Sequence, residues 1–263
     1  MVVAGSVARG LADERSDIEL PIFWQSAPTD ELRHSLIDAL QGQLLFEYDG
    51  PSGEDQLLVN GVQVDLWHVT VEHQEDVIES VVARNRTDLE SLNAMDTVRS
   101  CIPLYGHELV EHWKQRAVQY PRSLASAIIG QHLESFRLDR LALCHERNDP
   151  TGFYSELAVL QQDAFLVLLA LNEQYFPTFK WLYATLDHMD IKPERIVERF
   201  RRAFTTSRSE AIADMQSALF EVIGLVERRF PEIETSLTRR RLAYRRSAVK
   251  PGAGEALAAL ADE

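Results

Sequence analysis

Apolar residues in this chain recur with a strand period up to about residue 70 and with a helical period beyond it. A sequence patterned in that order calls for a small sheet first and helices after it, an α+β arrangement. Asn60-Gly61, set between Leu57-Leu58-Val59 and Val62, is a strong local hairpin signal. In its second arm Val62, Val64 and Leu66 share one face, and Gln63, Asp65 and Trp67 share the other. The run Val2-Val3-Ala4 reads as a short buried strand ended by Gly5-Ser6, and Gly10 marks a second tight point. Asp17, Ile18, Glu19 and Leu20 alternate, so Asp17 and Glu19 point to one side.

One helix is expected inside this first part. Thr29 caps it, Asp30 and Glu31 fill its first turn, and Gly42 stops it. Leu32, Leu36, Ile37 and Leu40 would form its apolar stripe, and "QLLFEY" another strand. Together these predict a small mixed sheet with helices on one face. Amphipathic patterns then begin at Val71 and run over Ser123–His145, Gly152–Asn172 and Arg208–Arg229, with Pro121, Pro150, Pro177, Pro193 and Pro231 as punctuation. The expected organisation is a sheet core over 1–70, a helical connection over 71–121, a C-terminal helical bundle over 122–246 and a flexible tail over 247–263.

The 263 residues carry a formal net charge of −14. Non-specific nucleic-acid binding needs a basic face, so a polynucleotide partner is disfavoured. The acidity leaves room for a cationic acceptor such as an amino sugar, though it mainly serves solubility. Cys101 and Cys144 make no disulfide framework or zinc spacing and read as buried thiols of a cytoplasmic protein. No signal-peptide pattern is present, and the apolar run Ala164–Leu171 is too short to span a membrane.

Two carboxylates side by side repel unless a cation lies between them, and oxygen donors favour magnesium. Gly5-Ser6, Gly10, Asp17/Glu19 and a third strand acid, Asp65, together resemble the DNA polymerase β-like nucleotidyltransferase superfamily. "CIPLYGHELVEHW" and "LLALNEQYFPTFKWL" extend the resemblance to a bacterial group with a DUF4037-type helical region. The resemblance implies a sheet-based nucleotidyltransferase domain followed by the bundle, with the active site in the cleft between them. Gly5 and Ser6 would hold the triphosphate of an NTP, most naturally ATP. Asp17, Glu19 and Asp65 would bind one or two magnesium ions, and Asp65 could also take a proton from the acceptor. The implied reaction transfers a nucleoside monophosphate to a hydroxyl of a small molecule and releases pyrophosphate. This sequence departs from the superfamily in placing Glu19 where Asp is commoner.

Lys180, in "LNEQYFPTFKWL", is expected over the nucleotide phosphates, with Tyr175 or Trp181 stacking on a ring; otherwise the segment is a packing joint. Arg9 either contacts phosphate or pairs with an acid such as Asp13. Arg239, Arg240, Arg241, Arg245 and Arg246 read as a solvated helix face, with RNA contact as the alternative. His68 reads as a packing residue. The rival functions are transfer to tRNA or protein, and a non-catalytic nucleotide sensor.

Overall fold

A computed structural model describes residues 1–47 and 53–245. These fall into two units: Met1–Ile128 with Asn172–Trp181, and Ile129–Leu171 with Leu182 onward. The first unit holds β1 (Val2–Val3), α1 (Gly5–Ala8), β2 (Ile18–Trp24), α2 (Asp30–Ala39), β3 (Gln43–Phe46), β4 (Glu54–Val59) and β5 (Val62–Thr70). It continues with α3 (Val71–Arg84), α4 (Leu89–Ser100), β6 (Ile102–Pro103), α5 (His107–Val118) and most of α6 (Arg122–Leu133). The second unit is helical among the described residues: α7 (Asp139–Glu146), α8 (Pro150–Leu171), α9 (Leu182–Asp187), α10 (Ile196–Arg202), α11 (Arg208–Arg229) and α12 (Ser236–Ala243).

The main sheet has the order β2-β5-β4-β3 and is mixed, with β2 parallel to β5 and the other pairs antiparallel. Asn60 and Gly61 both take positive φ, 50° and 83°, and join β4 to β5 in the twist-matched hairpin that their sequence demands. One sheet face buries Leu57, Val64 and Leu66 against Ile37 of α2. Removing a side chain of this kind from water contributes about 1.5–3 kcal/mol. The same face carries a buried polar chain. Arg33 donates to Asp55 at 2.8 Å, and the His68 Nε2 lies 2.9 Å from the other Asp55 oxygen. Trp24 donates to His68 Nδ1 at 3.0 Å, so the ring proton sits on Nε2 and points at Asp55. His68 is therefore a packing residue, and burial lowers its pKa from the ordinary value.

A local signal translated directly at the start of α2. The Thr29 hydroxyl accepts from the Leu32 N–H at 3.3 Å. Ser207 and Glu210 form a capping box at the start of α11. Other expectations need correction. The helical pattern over Ser123–His145 is broken by a turn between α6 and α7. Leu32 and Leu40 are exposed, so the α2 stripe reaches the core through buried Ile37 and partly buried Leu36. β6 was not anticipated; it pairs antiparallel with β1, Val3 opposite Ile102. Cys101 is buried, whereas Cys144 is half-exposed. The units also divide differently from the expected boundaries. Helices through Ile128 cluster with the sheet, and Asn172–Trp181 returns to it. Arg246, Tyr48 of "QLLFEY" and the expected tail over 247–263 lie outside the described residues.

α8 is long and apolar enough to cross a membrane by length and composition alone. Two thirds of its most apolar window, 67%, is buried within the protein, and Gln161 and Asp163 lie on it. It has the features of a core helix.

Candidate functional site

Glu19 on β2 and Asp65 on β5 are direct register partners, so their side chains leave the sheet on the same face. That face is opposite the Leu57–Leu66 core. Asp17 immediately precedes β2 and shares the side of Glu19 by strand alternation. The three acids predicted from the sequence thus share one face of two adjacent strands.

The Gly5 turn is fastened above them. β1 runs beside β2, and the Ala4 N–H donates to the Glu19 carbonyl at 2.9 Å. Gly5 then turns with φ +61° into α1. A Cβ at Gly5 would lie 2.2 Å from Glu19 Oε2, so the carboxylate rests where any other residue would place a side chain. Ser6 is buried, and its hydroxyl has no hydrogen-bond partner. The Oδ1 of Asp17 is likewise buried without a partner. Buried unpaired polar atoms are costly and cluster where a missing group would complete them.

The electrostatics reflect this crowding. Burial raises the Glu19 pKa, Asp17 and Asp65 add to the rise, and Arg9 and Lys180 oppose it. Burial also raises the Asp65 pKa; the Gln63 side-chain hydrogen bond opposes the rise, as does Lys180, whereas Glu54 and Asp17 add to it. Lys180 therefore acts on two of the three acids. It stands exposed in a 3-10 turn, Phe179–Trp181, within the segment that belongs to the first unit. Asn93 of α4 donates to the carbonyls of Phe176 and Pro177, and Arg99 donates to Glu173 O at 2.7 Å. These bonds hold the segment against α4. A cavity of about 390 Å³ is lined by Ser6, Arg9, Glu19, Trp67, Lys180 and Trp181 among others, all within the first unit.

Two expected roles are altered by the geometry. Arg9 pairs with Asp96 of α4, not with Asp13, through Nε at 2.9 Å and a terminal nitrogen at 2.5 Å. It lines the cavity with its charge already engaged, and Arg9 in turn counters the rise that burial imposes on Asp96. Tyr175 is buried against Tyr120, ring centroids 4.9 Å apart, and is a core residue. Trp181, in contrast, faces the cavity. Asp96 gave no local signal, because its partner is 87 residues away.

The acids offer only oxygen donors, the set magnesium takes. An unpartnered Asp17 oxygen and the mutual repulsion of Glu19 with Asp17 and Asp65 fit a cation-accepting face. Among the described residues, however, no three His, Cys, Asp or Glu side chains are gathered tightly enough to form a ready metal site. The strands align the donors; the side chains stop short of a closed cluster.

In the second unit, a depression of about 660 Å³ is lined by Lys192, Arg195, Arg201 and Arg202. Arg195 is paired with Glu198 and Arg202 with Asp214, which removes much of its charge. The arginine run on α12 is also partly neutralised: Arg239 binds Glu227 through two bonds of 2.6 and 2.7 Å.

Residues 95–182 match the model of a family described as a domain of unknown function, DUF4037. The match covers Asp96 and Lys180 but not the segments that carry Asp17, Glu19 and Asp65. No curated protein matches the chain.

Proposed function

We propose that the protein is a magnesium-dependent nucleotidyltransferase that moves a nucleoside monophosphate, AMP from ATP in the first instance, to a hydroxyl of a small-molecule acceptor. The observation that carries this reading is the Glu19–Asp65 register, with Asp17 beside it, Gly5 pressed on Glu19 and Lys180 acting on both strand acids.

In this reading the Gly5-Ser6 turn offers backbone N–H groups and a hydroxyl to the triphosphate, and Lys180 supplies the positive charge that three phosphates require. Asp17, Glu19 and Asp65 would hold magnesium, which when bound neutralises phosphate charge and orients the reacting groups. The acceptor oxygen attacks the α-phosphorus, the bond to pyrophosphate breaks, and the hydroxyl proton passes to Asp65. The residues contribute mainly position and charge, which is where catalysis of phosphoryl transfer lies.

Incubation with each of four α-labelled NTPs, magnesium and pools of metabolites or RNA tests the reading. A labelled small product is expected. Labelled RNA would replace the acceptor class, and no transfer with any pool would favour a nucleotide sensor.

A further inference from the structure

The catalytic face of the sheet continues past the acids. Pro21 and Phe23 follow Glu19 on β2, and Trp67 and Val69 follow Asp65 on β5, at alternate positions and in register. With α3 and α4 they enclose a cavity of about 320 Å³. It adjoins the cavity lined by Glu19 and Lys180, because Trp67, Glu90, Asn93 and Thr97 line both. Two of its lining side chains, Trp67 and Gln74, carry buried nitrogen donors, Nε1 and Nε2, with no hydrogen-bond partner. Native proteins leave few such donors unpaired, and two on the wall of one cavity point to an absent acceptor. The charged lining groups are unequal. Glu54, one oxygen of which accepts from Gln56 Nε2, and Glu90 line the space, whereas Arg86 is held by Asp88 at 2.5 Å.

We infer that this cavity is the acceptor subsite of the transfer reaction, and that it takes a small hydroxylated ring compound, neutral or cationic. The inference rests on the nucleotidyltransferase reading and narrows its substrate. The flat apolar walls of Phe23 and Trp67 suit a ring. Trp67 Nε1 and Gln74 Nε2 donate to its oxygens, and Glu54 and Glu90 accept from its hydroxyl or ammonium groups. The volume lies at the low end for small-molecule sites and is too small for a folded macromolecule. An acceptor seated there approaches Asp65 along β5, while Ser6 and Lys180 line the neighbouring cavity for the phosphates.

Binding is measured without nucleotide or magnesium, so that the result is independent of ATP chemistry. The probes are glucose, glucosamine and myo-inositol, with succinate as the anionic control, read by saturation-transfer NMR and calorimetry. At least one ring probe binds the wild-type protein, and succinate does not. Ala94→Phe fills the cavity and weakens that probe at least tenfold while leaving magnesium-ATP binding intact. Gln74→Leu removes a donor that has no protein partner. It weakens the probe severalfold without lowering the melting temperature, which a purely structural glutamine would not do. The inference is overturned if none of the ring probes binds, if succinate binds better, or if both variants bind as the wild type does. Loss of ATP binding in the wild type, with ring binding intact, would instead remove the nucleotidyltransferase reading.

Discussion

Glu19 and Gly5 are pressed together: the carboxylate of Glu19 occupies the space a side chain at position 5 would need, 2.2 Å from the ideal Cβ. The turn and the acid are thus in close contact, and a side chain at position 5 would have to displace the Glu19 carboxylate. Gly5→Ala forces a residue with φ +61° to carry a methyl group into a carboxylate. We expect a loss of about 2 kcal/mol or more in urea-denaturation stability, since the left-handed backbone alone costs roughly 1–2 kcal/mol. Wild-type stability in that variant would show that Glu19 is free to move away.

The raised pKa of Glu19 has a definite sign. Its charged form is disfavoured in the folded state, so the ionised acid destabilises the ligand-free protein above the folded pKa. That penalty fades as pH falls through the raised value toward the ordinary 4.5. Glu19→Gln should therefore melt higher than the wild type at neutral pH, with the difference closing on acidification. Magnesium should destroy the advantage by stabilising only the wild type. A thermal-shift series across pH, with and without magnesium, checks both statements.

Lys180→Ala should weaken ATP binding by about 1–3 kcal/mol, the scale of a hydrogen bond to a charged group. Lys180→Arg should recover little, because a planar fork does not replace a compact ammonium. Calorimetry at low salt measures both. The melting temperature should stay near that of the wild type, because the Lys180 side chain is exposed. Equal ATP affinity in all three proteins would reduce Phe179–Trp181 to a packing joint.

Asp55 supplies the opposite control. It is fully buried on the other sheet face, between Arg33 and His68. Asp55→Ala leaves Arg33 with Asp30 and Glu47 but strands a buried histidine N–H, and should cost about 1–3 kcal/mol in denaturation experiments. In protein that remains folded, ATP affinity should be unchanged.

The legible parts of the fold were those written over a few residues. Asn60-Gly61 and the Thr29 cap each depend on a few neighbouring residues, and each formed. The alternation around Glu19 and Asp65 assigned both acids to faces, although their partnership depends on β2 and β5 meeting in parallel across 40-odd residues. Features made by distant segments were not legible. Strand β6 is two residues long and exists through its pairing with β1. The Arg9–Asp96 pair and the return of Asn172–Trp181 to the sheet unit depend on chain packing that no local period encodes. The stranded donors of Trp67 and Gln74 became visible only when burial and partners could be read together.

The most direct test compares wild type and Asp17→Asn in transfer from α-labelled ATP with magnesium and a pool of hydroxylated small molecules. The substitution keeps the volume of a side chain whose buried Oδ1 has no partner, and removes its charge. The account predicts a labelled small product and matching pyrophosphate release from the wild type, and neither from Asp17→Asn at unchanged melting temperature. Full transfer by Asp17→Asn at saturating ATP and magnesium would contradict it.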